Sequence, residues 1–195
     1  MTTFYIVRHG QSLANAQGIL QGAKINTPLS ALGQQQALLT KTKLAHLNFD
    51  EVYASPLLRA AQTAALLSPT QPVTFDSRLK EYDYGTLDGQ LETKVWQQFP
   101  QYFDAKHNLL PSFQNFPSAQ SFAEVKTKVA SFFTQVTQKA PTATVLVVSH
   151  GFTIKLMLAW LLDIGQLVNL NEPQNAGITI FEITANSKTL LAFNQ

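Results

Sequence analysis

The chain has 195 residues, of which 45% are hydrophobic and 13% are charged, and its formal net charge is +2. This length and apolar content fit one globular domain with a sizeable core and exclude a disordered, collagen-like or linker segment. The chain has no cysteine and only three arginines, which excludes disulfides, thiolate chemistry and a basic footprint for nucleic acid.

The first predicted elements are a strand and a helix joined by a long loop. The apolar run 4–7 predicts a buried strand, and a segment dotted with Gly and Gln continues to Pro28. Ser30 is the predicted N-cap of the helix that follows. Apolar positions recur along it at helical spacing: Leu32, Ala37, Leu38, the stem of Lys41, and Leu44.

A second strand and a second helix follow. Residues 51–54 predict a short strand. Ser55 is typical of a helix cap and Pro56 of a first helical position, so we expect a helix from there to about Leu67. Residues 73–75 predict another short strand.

Residues 89–118 form the least regular part of the chain, and we interpret them as an insertion or lid over the sheet. Aromatic side chains are concentrated there: Trp96, Phe99, Tyr102, Phe103, Phe113 and Phe116. These rings fit two interpretations, an apolar-tolerant pocket or simple packing of the lid onto the domain.

The last third returns to alternating strands and helices. Ser121 and Glu124 form a capping-box pattern at the start of a helix with one apolar face. Residues 144–149 predict the clearest strand of the chain, and a helix over about 152–162 follows. Two final strands are predicted over 178–183 and 190–193.

This alternation favours an α/β sheet sandwiched by helices. No internal repeat, low-complexity linker or break in composition marks a second domain. We therefore predict a single domain over 1–195, with the lid at about 89–118.

Two predicted strands end in a histidine followed by a glycine. The first strand ends at Arg8-His9-Gly10, and the strand over 144–149 runs into His150 and Gly151. In open α/β sheets ligands collect just outside the carboxyl ends of the strands. One such histidine would more often be a polar strand cap, but two of them favour a shared crevice.

Arg59 is predicted on the first turn of its helix, near free backbone amides and the positive end of the helix dipole. Guanidinium groups match phosphate oxygens bidentately. Arg8, Arg59, His9 and His150 therefore describe a phosphate pocket. The two histidines could instead bind zinc, but zinc needs a third ligand and two adjacent arginines would repel it, so we predict no metal.

The loop over 79–89 is rich in carboxylates and glycines. A carboxyl group beside a cationic phosphate pocket can act as general acid for the leaving oxygen and then as base for water. Carboxylates in loops are also commonly just solvated. Spacing alone leaves Glu81, Asp83 and Asp88 as equal candidates.

Five ordered segments resemble motifs of the histidine phosphatase superfamily, the phosphoglycerate-mutase-like proteins. They are 8–15 (RHGxxxxN), Gly22 with 28–37 (G…PLSxxGxxQA), 55–63 (SPLxRAxQT), 79–89 (LxExxxGxxxG) and 147–151 (VSHG). The resemblance spans residues 4 to about 180. It implies the phosphoglycerate-mutase-like fold, a three-layer α/β/α sandwich with a mostly parallel central sheet.

The resemblance also implies a two-step phosphoryl transfer that uses no metal and no cofactor. His9 would attack phosphorus to form a phosphohistidine, while Arg8, Arg59 and His150 hold the equatorial oxygens. Glu81 would protonate the leaving group and then activate water. The matching blocks add five substrate-binding positions: Asn15, Gln21, Gly22, Tyr84 and Gly151.

Departures from the mutase pattern favour a phosphatase. Cofactor-dependent phosphoglycerate mutases typically carry an arginine directly after the catalytic glutamate and a lysine eleven residues beyond it, where this chain has Tyr82 and Glu92. Gln120 replaces a glutamate that some members place near the pocket. We expect hydrolysis of a small phosphorylated metabolite; the alternatives are a cofactor-dependent phosphoglycerate mutase and a non-catalytic phosphate-binding module.

The sequence gives no indication of a membrane partner. The N-terminus lacks the charged region of a signal peptide. The apolar stretch 153–162 is interrupted by Lys155 and is too short to span a bilayer. We expect a cytoplasmic protein, and the sequence does not indicate its oligomeric state.

Overall fold

One six-stranded sheet forms the centre of the computed structural model, which describes all 195 residues. Its strands are β1 (Thr2–Arg8), β2 (Glu51–Ala54), β3 (Thr74–Phe75), β4 (Thr144–Ser149), β5 (Ile178–Ile183) and β6 (Lys188–Ala192). Their order in the sheet is β3-β2-β4-β1-β5-β6. The first four strands in this order are mutually parallel, and β5 and β6 add antiparallel pairs at one side.

Helices cover both faces of the sheet. They are α1 (Leu13–Ala16), α2 (Ala31–Leu44), α3 (Leu58–Leu67), α4 (Glu92–Gln98), α5 (Phe122–Lys139) and α6 (Gly151–Leu161). Side chains alternate along a strand, so Val145 and Val147 join a core with α5 and α6, whereas Leu146 and Val148 join a core with α2 and α3. The predicted three-layer α/β/α sandwich is confirmed, with a mixed sheet.

The helix α5 follows its predicted pattern closely. The Ser121 side chain accepts the backbone N–H of Glu124, and the Glu124 side chain accepts the N–H of Ser121, which completes the capping box. The apolar face predicted from the sequence is buried: Val125, Val129, Phe132, Phe133 and Val136. The capping box and the wide apolar stripe therefore both belong to the helix that they predicted.

The buried face of α2 differs from the prediction. Ser30 caps the helix as expected, with its hydroxyl accepting the N–H of Gly33. However, Leu32 and Leu38 are 49% and 47% exposed, so the helical spacing of these two apolar residues does not mark the buried face. The helix instead buries small residues, including Gly33 and Ala37, because its first turns approach the backbone of the loop after β1.

The helix α3 begins two residues later than predicted. Leu57 occupies the N-cap position and makes no side-chain cap bond. Assigning Ser55 as the cap and Pro56 as the first helical position was therefore wrong. The Ser55 hydroxyl pairs with Nε2 of His150 and also accepts the Leu57 N–H at 3.3 Å, so a residue typical of a cap lies in the crevice.

The segment 89–118 contains more structure than its sequence predicted. It includes the short helix α4 and two single helical turns, at Pro100–Tyr102 and Pro111–Asn115. Phe113 is fully buried, stacks on Phe116 and lies near Tyr82. These rings pack the segment onto the large core, which supports the packing interpretation over an aromatic pocket.

No helix in the structure is long and apolar enough to cross a lipid bilayer.

Candidate active site

The two histidines meet at the carboxyl ends of neighbouring parallel strands. Arg8 of β1 is in register with Ser149 of β4, so the residue that follows each strand lies at the same edge. The ring centres of His9 and His150 are 5.0 Å apart, and both residues are buried. The expected shared crevice therefore exists.

Arg59 joins the two imidazoles. Its Nε donates to Nε2 of His9 and to Nδ1 of His150, each at 3.1 Å. Its Nη1 donates to the Ile25 carbonyl at 2.8 Å, and its Nη2 lies 3.4 Å from the Gln21 carbonyl. The guanidinium is fully buried, and burial lowers its pKa to about 10, at which it is still charged near neutral pH.

The hydrogen bonds fix which nitrogen of each histidine carries a proton. Nδ1 of His9 lies 2.7 Å from the Gly10 carbonyl, which can only accept, so Nδ1 is protonated and Nε2 keeps its lone pair. Nδ1 of His150 accepts from Arg59, so its Nε2 donates to the Ser55 hydroxyl at 2.7 Å.

Both histidines are held neutral. Burial and the nearby Arg59 guanidinium hold the pKa values of His9 and His150 well below the usual 6.5, and Arg8 acts in the same direction. A neutral imidazole with an unprotonated Nε2 is the form that can act as a nucleophile.

Glu81 lies at the N-terminus of α6. Its Oε1 accepts the N–H groups of Tyr82 and Thr153, both at 2.9 Å, and its Oε2 accepts the Phe152 N–H at 3.3 Å. Burial raises the pKa of Glu81, and the Glu172 carboxylate adds to the rise, while the hydrogen bonds and Arg59 oppose it. Glu81 is thus a buried carboxyl group whose proton is held more tightly than usual.

The other two candidates for the general acid, Asp83 and Asp88, bind residues of the loops around the site. Asp83 pairs with the Lys24 ammonium at 2.9 Å. Asp88 accepts the N–H groups of Gly22 at 2.9 Å and Lys24 at 3.1 Å, and burial raises its pKa to about 6. Only Glu81 contacts the first turn of the helix that follows His150.

Arg8 lies on the open side of the crevice. Its Nη1 donates to the Pro173 carbonyl at 2.6 Å and lies 3.5 Å from Oε2 of Glu172. Its Nε is buried without a hydrogen-bond partner, and its Nη2 makes no hydrogen bond within the chain either. Gly151 packs directly against both side chains, and a Cβ at that position would overlap the Glu172 carboxylate.

The expected substrate-binding positions near α1 mostly hold the loops together. The Asn15 side-chain oxygen accepts the Ser12 N–H at 3.2 Å, and Gln21 donates to the Thr27 hydroxyl at 2.6 Å. The Gly22 N–H, expected in the phosphate cradle, is occupied by Asp88. Tyr84 is buried with its ring against Gly22, and burial raises its pKa well above 10.

Four further residues contact the histidine loops and were not singled out from the sequence. Ser55 pairs with His150, and the Thr63 hydroxyl accepts the Gly10 N–H at 3.1 Å. Asn175 donates to the His9 carbonyl at 3.1 Å, and Glu172 lies beside Arg8. Ser55 and Thr63 fall within the 55–63 motif, which is a usable signal, whereas nothing in the sequence marks the other two.

The residues of the crevice are suited to an anion rather than to a cation. No cluster of three or more histidines and carboxylates in the structure has the geometry of a metal site. Arg8 and Arg59 bring two positive charges to the imidazoles, and the Arg8 guanidinium keeps donors without a partner in the chain. This donor set fits a phosphoryl group.

Comparison with known proteins defines the family. The profile of the histidine phosphatase superfamily (branch 1) matches residues 4–195, and the chain belongs to this family. It is a phosphatase-class enzyme with the phosphoglycerate-mutase-like fold, as its sequence motifs indicated.

Several proteins similar to this chain carry names. Phosphoserine phosphatase 1 of Hydrogenobacter thermophilus is 31% identical over 170 residues, covering 84% of this chain and 78% of its own length. A second protein of that organism, also given a phosphoserine phosphatase name, is 33% identical over 202 residues, covering 100% and 96%. The phosphoserine phosphatase of Entamoeba histolytica, a mutant crystallised with phosphoserine, has a TM-score of 0.82 at 26% identity, covering 100% and 98%.

Proposed function

We propose that the protein hydrolyses small phosphomonoesters through a phosphohistidine formed at His9. The main supporting observation is the orientation of the His9 imidazole. Its Nδ1–H donates to the Gly10 carbonyl, and its Nε2, which keeps the lone pair, faces Arg59. The structure thus supports a buried, neutral and oriented nucleophile in a cationic crevice.

In the first step, Nε2 of His9 attacks phosphorus and the bond to the leaving oxygen breaks. Before this attack, Arg59 turns its Nε–H from the imidazoles to a phosphoryl oxygen, which frees the Nε2 lone pair of His9, and the Arg8 guanidinium binds another oxygen. His150 supplies a third donor once its Nδ1, which accepts from Arg59 in the free protein, has taken up a proton. Fixed donors at the equatorial oxygens stabilise the charge that spreads over them in the transition state.

Glu81 supplies the proton for the leaving oxygen. Burial raises its pKa, which favours the protonated form that gives its proton to the leaving oxygen. The resulting carboxylate is stabilised by the N–H groups of Tyr82 and Thr153. In the second step it takes a proton from water, which attacks the phosphohistidine, releases inorganic phosphate and restores His9.

Two positions favour release of phosphate over its return to the substrate. Tyr82 and Glu92 stand where mutases carry cations. Tyr82 is buried, and its hydroxyl donates to the Gln120 carbonyl. Glu92 adds a carboxylate on the Arg8 side of the crevice. The relatives named phosphoserine phosphatase agree with this preference.

The proposal is tested with wild-type protein and the His9→Ala variant. Malachite green detects phosphate released from several monoesters, and a coupled enolase assay detects conversion of 3- to 2-phosphoglycerate. We expect metal-independent phosphate release, an acid-labile and base-stable phosphoprotein, and the loss of both in His9→Ala, with a rate drop of several orders of magnitude. Primer-stimulated interconversion without phosphate release would identify a mutase, and full activity of His9→Ala would refute the phosphohistidine.

A further inference from the structure

Asp88 is a partly buried carboxylate to which the proposed reaction assigns no task. Its Oδ1 accepts the N–H of Gly22 at 2.9 Å, and its Oδ2 accepts the N–H of Lys24 at 3.1 Å. A Cβ on Gly22 would overlap Oδ1, so the carboxylate lies directly against the backbone there. The segment 79–89, which also carries Glu81, therefore holds the loop at 21–25 through two backbone N–H groups.

Arg59 holds the same loop from the other side. Its Nη1 donates to the Ile25 carbonyl at 2.8 Å. Its Nη2 lies 3.4 Å from the Gln21 carbonyl and 3.3 Å from the Gly22 carbonyl. Because the two Nη groups are held by these carbonyls, the Nε of the fully buried side chain faces the two imidazoles.

A single peptide group connects Asp88 to Arg59. The carbonyl of Gln21 and the N–H of Gly22 belong to one planar peptide and point in opposite directions. The carbonyl faces Arg59, and the N–H donates to Asp88. Rotation of this peptide would break both contacts together. The carboxylate that fixes the N–H therefore also fixes an acceptor of the guanidinium.

We propose that Asp88 is a positioning residue that orients the Arg59 guanidinium for the phosphoryl group through the Gln21–Gly22 peptide. This role rests on the proposed function, which gives Arg59 a phosphoryl oxygen to bind. Asp88 acts through Arg59, because both of its own oxygens are occupied by backbone N–H groups. A guanidinium that is already held at its Nη groups has less freedom to lose when phosphate binds.

The protonation state of Asp88 decides whether it can hold both N–H groups. Burial raises its pKa to about 6, and Asp83 adds to the rise, while the two N–H groups and the Lys24 ammonium oppose it. The other charged or titratable groups that face it are Arg59 of α3 and Tyr84 of its own segment. Once protonated, one oxygen becomes a donor and loses its N–H partner. The positioning effect should therefore weaken as pH falls through this pKa.

The Asp88→Asn variant tests the role through binding of inorganic phosphate, measured by calorimetry. The amide group offers one acceptor oxygen, and its NH2 group cannot accept the second N–H. We expect phosphate to bind roughly 3- to 10-fold more weakly at about pH 8, the effect of one hydrogen bond. Since the change also removes a negative charge, a purely electrostatic role would instead tighten phosphate binding. Unchanged or tighter binding would overturn the proposal.

A double-mutant cycle shows whether the effect passes through Arg59. Lysine at this position cannot hold the loop carbonyls together, because its ammonium is a compact point donor. In the Arg59→Lys background, Asp88→Asn should change the phosphate dissociation constant by less than about twofold. The same loss in both backgrounds would show an effect independent of Arg59 and refute the positioning role. Asp50→Asn is the matched control, since Asp50 accepts the N–H of Thr144 at 2.8 Å, at the end of β4 opposite the crevice.

The pH dependence gives a second readout. Comparing wild type with Asp88→Asn at each pH cancels the titration of phosphate itself. The ratio of their dissociation constants should be largest above pH 6, the approximate pKa of Asp88, and fall toward one below it. In wild type alone, the NMR signals of the Gly22 amide and the Arg59 Nε–H should shift with one common midpoint, and Glu81→Gln should keep it. A ratio independent of pH, or two separate midpoints, would contradict the role.

Phosphate binding and ester hydrolysis are measured separately. Asp88→Asn should lower kcat/KM by a similar factor on alkyl phosphates and on p-nitrophenyl phosphate, because Arg59 meets the phosphoryl group of both. A loss confined to alkyl phosphates would make Asp88 a proton donor and overturn the positioning role. Absence of hydrolysis of every ester by wild type would overturn the proposed function, and the binding measurements would still decide the role of Asp88.

Discussion

At the scale of single residues, Arg59 is the side chain that connects the separate parts of the crevice. One Nε–H reaches both imidazoles, and the two Nη groups reach backbone carbonyls of the loop at 21–25. A buried guanidinium with this many acceptors holds the loop, the nucleophile and His150 in a single arrangement. Its replacement therefore affects both binding and chemistry.

Arg59→Lys keeps the charge but cannot make these bonds together, because an ammonium is a compact point donor. We expect weaker binding of inorganic phosphate and a kcat/KM at least tenfold lower on every ester, since in the proposed mechanism the guanidinium contacts substrate and transition state alike. Calorimetry measures the first effect and steady-state kinetics the second. Arg78→Lys is the matched control, because Arg78 pairs with Asp76 outside the crevice.

Glu81→Gln removes the titrating proton while keeping the shape of the side chain. The first step should slow most for alkyl phosphates, whose leaving oxygens need a proton, and much less for p-nitrophenyl phosphate. Because the Glu81 pKa is raised, kcat/KM for alkyl phosphates should fall as pH increases through that pKa, and the fall should vanish in the variant. Equal losses on both ester types would show that Glu81 is not the general acid, and Asp83 and Asp88 would then be tested.

At the scale of elements, α2 holds the loop that carries His9 by direct backbone contact. Gly10 and Gly33 face each other so closely that a Cβ on either would overlap the other's backbone or that of Gln11. Two glycines, rather than apolar side chains, thus position the first turn of α2 against the crevice. Here the helical spacing of Leu32 and Leu38 misled, since it marks an exposed side.

Gly33→Ala tests this contact. The added methyl would meet the Gln11 carbonyl, which is rigid backbone, so the loop must move. We expect a loss of about 1–3 kcal/mol in the free energy of unfolding, as for overpacking, together with a drop in kcat/KM. Gly165→Ala is the control, because nothing lies within 4 Å of a Cβ there. A Gly33→Ala protein with wild-type stability and activity would contradict the contact.

Elements with strong local signals could be predicted from the sequence, and those set by distant contacts could not. The capping box at Ser121 and the apolar stripe behind it gave α5 correctly. The short helices α1 and α4 were missed, because so few residues carry little periodicity. Ser55 misled because it has a tertiary partner in His150.

The residues of the candidate site divide in the same way, into those that a local motif marks and those that distant contacts bring to the site. Motifs located His9, Arg59 and His150, which the structure brings together. Glu172 and Asn175 reach the site from the loop before β5, through contacts far apart in sequence, and no motif marks them.

At the scale of the whole molecule, folding places two neutral histidines and a charged arginine in one buried crevice. The pKa values of His9 and His150 are lowered in the folded protein, so the unfolded chain binds protons there that the folded chain does not. Each histidine alone therefore makes folding less favourable as pH drops below 6.5. Asp88, whose pKa is raised to about 6, acts in the opposite direction, so the net slope for wild type is a balance.

The His150→Gln variant removes the contribution of His150 to the pH dependence of the free energy of unfolding. Glutamine can still pair with Ser55 and Arg59 but does not titrate. Between pH 6.5 and about 5, wild type should lose up to about 1.4 kcal/mol more unfolding free energy per pH unit than the variant, the full effect of one proton. Urea unfolding at several pH values measures the difference. Parallel slopes for wild type and His150→Gln would show that His150 is protonated in the folded crevice.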